Sequence, residues 1–303
     1  MLQDACAGDP MTGLKWTRKT LRALQRELKR KGFKVAIATI RRLLRKLRYA
    51  IRVNRKRLTR EQNPDRDHQM RYQIRVRRRF LKDGKPVISA DTKKRELVGN
   101  FKNAGGMWRR EPIPVLEYDY RSQADGVAIP YGIYDVAAND GFVVIGISHQ
   151  TPAFAIAAIR RWWIKVGRIR YAGQQELLIQ VDSGNPNSSR SWLWKFGLQQ
   201  MSDELGLQIT VTHFPPGASK WNPVEHRLFS QITQNWAGQP LISYETVLKF
   251  IRTTKTDAGL RVRAYLDKIH YQTGVKLTAA QKAQINLSPL RVFPKLNYTI
   301  KPR

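Results

Sequence analysis

The sequence holds one cysteine, Cys6, in 303 residues. A single thiol cannot close an intrachain disulfide, which fits a reducing compartment such as the cytoplasm. A lone Cys beside five scattered His also argues against a structural zinc site. No run approaches the roughly eighteen consecutive apolar residues of a membrane-spanning helix, so no membrane partner is expected. The opening MLQDACAGDPM carries acids and lacks an apolar centre, unlike a secretory signal. Repeats and low-complexity tracts are absent too. A hydrophobic share of 42% and an aromatic share of 10% suit a chain that folds.

Acidic residues are scarce as well, with 23 Asp and Glu against 55 Lys and Arg, a net charge of +32. A folded domain bears that self-repulsion most readily when a polyanion offsets it. Nucleic acid is the expected partner, through phosphate contacts and counterion release. A ribosomal or membrane-surface protein is the alternative on composition alone. The charge is also front-loaded: residues 1–80 hold 25 Lys and Arg and only 6 Asp and Glu.

That basic front predicts a DNA-binding region over residues 1–60. Residues 17–31 place Leu21, Leu24 and Leu28 on one helical face, with Thr17 as the cap and Gly32 as the stop. A second helix over 37–48 sets Ile40, Leu43, Leu44 and Leu47 inward and Arg41, Arg42, Arg45, Lys46 and Arg48 outward. Two short helices about a Gly-containing turn, the second strongly basic, read as part of a helix-turn-helix module. The bland alternative is a helical hairpin with a solvated face. A third helix is missing, either dispensable or lost with an upstream part of the coding sequence. The stretch 51–60, with Arg55, Lys56 and Arg57, reads as a basic arm along phosphates. A connecting helix over 61–84 follows, with Asn63 and Pro64 at its start and Gly84 at its end.

From residue 85 to 303 the pattern changes to α/β. KPVISAD reads as a buried strand ending at Asp91, and residues 95–127 as an irregular excursion. AIPYGIYDVAAND and GFVVIGISHQ, divided at Asn139, Asp140 and Gly141, read as an antiparallel hairpin. PAFAIAAIRRWWIKVG, SWLWKFGLQQMSDELG and NPVEHRLFSQITQNW read as helices, ELLIQVDS and LQITVTHF as strands. The resulting order is three strands, helix, strand, helix, strand, helix. That is what a ribonuclease-H-like fold requires, a mixed sheet flanked by helices.

Two acids stand out. Asp91 and Asp182 each follow an apolar run, so each sits at the C-terminal end of a central strand, where α/β folds place their ligands. Glu225 lies in the first turn of the helix after that sheet, with Asn222 as its cap and a capping box between the two as the plain alternative. Like charges brought together repel, and a divalent cation is the natural counter-charge. Two Mg²⁺ ions about 3.5–4 Å apart would suit phosphoryl transfer on DNA. Singly, each acid reads as readily as a turn residue or a cap. Asp135, inside IYDVA, reads as a hairpin residue rather than a fourth acid. His226 could contact a phosphate or position water, but a helix turns it about 100° from Glu225, so a packing or surface role reads at least as well. Trp162, Trp163, Trp192 and Trp194 read as core or interface, with base stacking as the sharper alternative. Ser183 and Ser188 have no base partner in the sequence for covalent chemistry.

VISADTKK, LIQVDSGNPNSSR and HFPPGASKWNPVEHRLFS resemble the three acid-bearing motifs of bacterial insertion-sequence DDE transposases. The likeness is to the Rhodopirellula-type transposase DDE domain. ELVGNFKNAG, IPYGIYDVA, IRRWW and LNYTI extend it over nearly the whole chain. The resemblance implies a catalytic triad of Asp91, Asp182 and Glu225 that binds two Mg²⁺ ions, with Mn²⁺ able to substitute. It implies cleavage at element ends, strand transfer into target DNA, and a homodimer or higher multimer on paired ends. Lys93 and Lys94, beside Asp91, would hold the DNA backbone, or equally would be surface lysines with no specific contact. The sequence departs from the family at its short N-terminus and in DSGNPNSS, where a more Gly-rich loop is usual. A DNA-binding remnant that no longer transposes, or a cellular nuclease or resolvase of the same fold, is the alternative reading.

Overall fold

A computed structural model describes residues 6–8, 15–17, 20–47, 49, 65–116, 121–215, 217–218 and 221–303. The chain divides into two compact units, Met1–Arg60 and Glu61–Arg303.

In the first unit, β1 (Cys6–Gly8) pairs antiparallel with β2 (Lys15–Thr17). Helix α1 (Leu21–Arg30) starts four residues later than the periodicity predicts. Thr20, not Thr17, is its cap: the Thr20 hydroxyl accepts from the Ala23 amide at 3.2 Å, while Thr17 belongs to β2. Gly32, at φ +86°, provides the left-handed step after α1. Helix α2 (Ile37–Lys46) buries Ile40, whereas Leu43 and Leu47 stay exposed, so its apolar stripe is only partly covered. Arg41, Arg42, Arg45 and Lys46 are all exposed. Arg48, Arg55, Lys56 and Arg57 lie outside the residues whose side chains are described.

The second unit opens with α3 (Arg66–Lys82). Then come β3 (Val87–Thr92), β4 (Glu96–Val98), β5 (Gly126–Asp135) and β6 (Asp140–Gly146). Next is α4 (Pro152–Trp162), which runs through a wide π-turn at Trp163–Gly167 into α5 (Arg168–Arg170). The chain continues with β7 (Glu176–Val181), α6 (Trp192–Leu205) and β8 (Gln208–His213). A π-helical turn at Val224–Phe229 then leads into α7 (Ser230–Asn235). The remainder forms α8 (Tyr244–Arg252), β9 (Arg261–Asp267), α9 (Ala279–Ala283), β10 (Leu287–Pro289) and β11 (Asn297–Ile300).

The strands stand in the order β10-β11-β8-β7-β3-β5-β6-β9, with β4 paired to β5. β3, β7 and β8 are parallel to one another, and β5 is antiparallel to both β3 and β6. This is the ribonuclease-H-like mixed sheet that the order of elements calls for. The expected irregular stretch 95–127 contains β4, which extends the sheet beside the start of β5. The chain after residue 236 adds β9 parallel to β6 at one edge and β11 antiparallel to β8 toward the other. The hairpin turns two residues earlier than expected, at Val136–Asn139, because Asn139 takes the left-handed conformation (φ 51°) and Asp140 already pairs with Asp135.

Side chains alternate across the sheet with period two, and that alternation sorts the core. Ile88 and Ala90 of β3 and Ile179 and Val181 of β7 pack with α4 and α6, whose buried faces bring Phe154, Ile159, Trp162, Trp194 and Leu198. On the other face, Val87 and Leu178 meet Val76 and Phe80 of α3. Farther along that face, Val224, Leu228, Phe229 and Ile232 pack with β5, β6 and α8. Ser89 and Asp91 alternate with Ile88 and Ala90, so they belong to this second face. Helices α4 and α6 are well specified locally: Thr151 caps α4 with Pro152 in its first turn, and Ser191 caps α6 before Gly206 ends it at φ +63°.

Candidate active site

The backbone register brings the first two acids side by side. Ala90 of β3 pairs with Val181 of β7, so Asp91 and Asp182 follow at the same level of neighbouring parallel strands. Asp91 is 6% exposed. Its Oδ1 accepts from the Thr92 amide at 2.7 Å and its Oδ2 from the Asn222 side-chain amide at 3.0 Å. Burial pushes its carboxyl up to about 8, and the nearby charges of Asp182 and Glu225 push the same way. Asp182 is half-buried, and desolvation raises it too, opposed by the Gly184 amide donating to its Oδ1 at 3.1 Å. A Cβ at Gly184 would stand 2.9 Å from Asp182 Oδ2, so glycine lets the loop backbone close over this carboxylate.

Glu225 arrives from the π-helical turn, which packs against the strand opposite Asp91. Gly132 is the residue of β5 that pairs with Asp91. A Cβ there would meet the Phe229 ring at 2.3 Å, so the missing side chain is what allows this close approach. Burial raises the Glu225 carboxyl, Lys93 lowers it, and Asp182 raises it. The three acids therefore share one electrostatic environment: Asp91 feels both others, and Glu225 feels Asp182.

Around them the sheet supplies fixed polar partners. Tyr131 donates its hydroxyl to Asn187 Oδ1 at 2.9 Å, and the Asn187 carbonyl lies 2.9 Å from His213 Nε2. His213 Nδ1 lies 2.8 Å from the Leu296 carbonyl. This clamp, fully buried, holds the loop that follows Asp182.

Several expectations are redrawn by the side-chain positions. Asn222 does not cap the Glu225 helix: its amide turns to Asp91 and Ser89 instead. Lys93 is 8% exposed, pairs with Glu96 at 2.5 Å and lies 4.7 Å from the centre of the Trp236 ring. Its charge is directed into the protein, and the expectation of a backbone-phosphate contact passes to exposed Lys94 alone. Asp135 pairs with Ile88, at the other end of β3 from Asp91, where it accepts from Arg170 at 2.8 Å and Tyr171 at 2.7 Å. His226 is exposed. Trp162, Trp163 and Trp194 are core, while Trp192 is 47% exposed. Sequence reasoning missed Ser89, Tyr131 and Asn187. Ser89 alone had a local signal, since it lies two residues before Asp91 and shares its face of the strand.

An all-oxygen donor set, buried and mutually repelling, is what a hard divalent cation takes. Among the described residues no group of three or more Asp, Glu, His or Cys side chains is placed so as to hold a metal ion by itself. Burial first, and the charges of Asp182 and Glu225 after it, disfavour the ionised form of Asp91, and a bound cation would offset them.

Comparison with known proteins decides the family. The family described as Rhodopirellula transposase DDE domain matches residues 1–302. The chain belongs to that family. It is a DNA transposase of the DDE type, a class that uses divalent metal ions. No curated protein matches the transposase. Among solved structures it is similar to the Mos1 transposase paired-end complex with left transposon end, at 14% identity over 80% of this chain and 73% of that chain, TM-score 0.47. It is also similar to a pre-cleavage Mos1 transpososome, at 15% identity over 80% of this chain and 73% of that one, TM-score 0.46. No described helix of the transposase is long and apolar enough to cross a membrane.

Proposed function

We propose that Asp91, Asp182 and Glu225 are the catalytic acids of this transposase, and that they serve metal-dependent cleavage at insertion-sequence ends followed by strand transfer. The observation that carries this reading is the register of Ala90 with Val181, which sets two carboxylates at one level, with Glu225 in the same electrostatic environment. Asp91 and Asp182 would hold the cations, two Mg²⁺ in this reading with Mn²⁺ as substitute, and Glu225 would complete one coordination sphere. Bound divalent ions acidify an attacking hydroxyl and offset charge on the leaving oxygen.

The chain's own residues do the rest. The Thr92 and Asn222 N–H groups fix the two oxygens of Asp91 and favour the ionised form that a bound cation would take, and the Tyr131–Asn187–His213 clamp keeps the Asp182 loop in place. Water attacks the phosphodiester at the element end, which frees a 3′-hydroxyl. That hydroxyl attacks a phosphodiester of the target, joins to its phosphate and releases the target's own 3′-hydroxyl. The bond count balances without a covalent enzyme intermediate. Residues 1–60 would recognise DNA, through Arg41, Arg42, Arg45 and Lys46 on α2 and through Arg48, Arg55, Lys56 and Arg57. Residues 61–84 would connect, and 85–303 would catalyse. A homodimer or higher multimer on paired ends, working at the nucleoid, fits the need to cut two ends and join both.

The test is Mg²⁺-dependent cleavage and strand transfer on oligonucleotides carrying the element ends. Asp182→Asn should abolish both steps while the protein still binds DNA. Retained activity in that variant would refute the triad.

A further inference from the structure

Two buried side chains outside the triad link its first acid to the helix that carries its third. Ser89 and Asn222 are both fully buried. Ser89 Oγ donates to Asn222 Oδ1 at 2.5 Å, and the Val224 amide donates to Ser89 Oγ at 3.3 Å. Asn222 Nδ2 in turn donates to Asp91 Oδ2 at 3.0 Å, while the Glu225 amide donates to the Asn222 carbonyl at 3.1 Å.

With Asp91 ionised, as a bound cation would require, the donor inventory leaves this chain one arrangement. A carboxylate only accepts, so Asn222 turns its NH₂ to Asp91 and its Oδ1 to Ser89. Ser89 Oγ accepts from the Val224 amide and gives its single proton to that amide oxygen of Asn222. The amide cannot flip without setting an acceptor against the Asp91 carboxylate and a donor against the Ser89 proton. Its orientation is thus fixed from the sheet. A simple helix cap would spend the Asn222 side chain on the amides of the following turn, and none of those bonds forms.

We propose that Asn222 and Ser89 are positioning residues, which set the rotation of the Asp91 carboxylate for cation binding and lock it in register with the turn bearing Glu225. The inference rests on the reading of Asp91 as a metal-holding catalytic acid. Asn222 faces that acid directly, and Ser89 acts through Asn222.

The experiment measures Mn²⁺ binding to the full chain by calorimetry without DNA, alongside single-turnover cleavage at saturating Mg²⁺. Partners that orient a metal-ligating side chain are typically worth about 10–100-fold in metal affinity or activity. Asn222→Ala should therefore weaken Mn²⁺ binding at least about tenfold and slow cleavage, with the Kd for DNA unchanged. Ser89→Ala should shift both in the same direction by less, because the amide remains but loses its orientation. The double variant should be no worse than Asn222→Ala, since the two residues act in series. A purely structural role would lower the melting temperature and leave Mn²⁺ affinity within twofold of wild type, which would overturn the proposal. Independent, additive losses would overturn it as well. If Asn222→Ala does not fold, Ser89→Ala decides by the same Mn²⁺ measurement. Asp91→Asn separates the two readings: if it cleaves DNA normally, the triad assignment fails. If it is inactive while Asn222→Ala binds Mn²⁺ as wild type does, only the positioning role fails.

Discussion

Gly132→Ala adds one methyl group at the place where strand β5 meets the turn that carries Glu225. The added Cβ would stand 2.3 Å from Phe229 Cε1, 2.7 Å from Cζ and 3.2 Å from Leu228 Cδ2. Ordinary carbon contacts begin at about 3.5 Å, so the ring edge must retreat by roughly 1.2 Å. Phe229 is 2% exposed and Leu228 is 0% exposed, so neither can swing into solvent. Overpacking of this kind costs about 1–3 kcal/mol, partly offset because Ala suits a strand better than Gly by about 0.5–1 kcal/mol. For a domain of this size each kcal/mol is about 2–4 °C in Tm. The larger consequence is functional. Phe229 and Glu225 share one turn, and a misplacement of about 1 Å at a reacting centre can cost on the order of 100-fold in rate. Thermal melts of the folded variant, with single-turnover cleavage by its folded fraction, read both effects. Adding Phe229→Leu, which removes the offending ring edge, should restore part of the rate. A Gly132→Ala protein that melts and cleaves as wild type does would refute the close packing and its link to Glu225.

Two further outcomes follow from the electrostatics. Asp91→Asn should stabilise the metal-free protein in EDTA at neutral pH by on the order of 1–3 kcal/mol while abolishing cleavage. The reason is that the native carboxyl holds its proton up to about 8, whereas the unfolded chain releases it near 3.8. Stability is therefore lost as pH rises through that window, and an amide escapes the loss. A lower Tm for Asp91→Asn in EDTA would contradict this. His213 works in the opposite direction. Burial lowers its ring to about 4, against an ordinary 6.5, and a neutral imidazole can donate to only one of the two carbonyls beside it. The unfolded chain takes up that proton first, so stability should fall by about 3 kcal/mol as pH drops from 6.5 to 4. Urea titrations across that range should show the slope in the wild type and not in His213→Gln. An equal slope in both would place its origin elsewhere.

The elements that bear the acids were legible in the sequence for a local reason. VIS before Ala90 and LLIQV before Asp182 are short apolar runs that stop at a carboxylate, and such runs form buried strands whether or not their neighbours are known. Glu225 was legible through the Asn-Pro that precedes its helix. What escaped notice depends on distant partners. Lys93 reads as a surface lysine until Glu96 and Trp236 fold over it, and Trp236 is far along the chain. Asn222 fits a cap by local rule, but Asp91 and Ser89, more than a hundred residues earlier, claim its side chain. Thr17 and Thr20 are equally good caps in isolation; the pairing of β2 with β1 removes the first. The wide π-turn at Val224–Phe229 has no local signature, and it occurs where the helix rides over Gly132.

The pairing of Ala90 with Val181 has one more consequence. Neighbouring strands in a sheet are held about 4.8 Å apart by their backbone hydrogen bonds. Asp91 and Asp182 therefore form a caliper whose jaws are set when the sheet assembles, before any DNA arrives. Glu225 is mounted differently, on a turn seated against side chains rather than laced into the ladder. Two of the three proposed catalytic acids are held by the ladder and the third by a turn packed into the core. The spacing of the first pair thus rests on backbone hydrogen bonds, and that of Glu225 on the fit of Leu228 and Phe229 against β5 and β6.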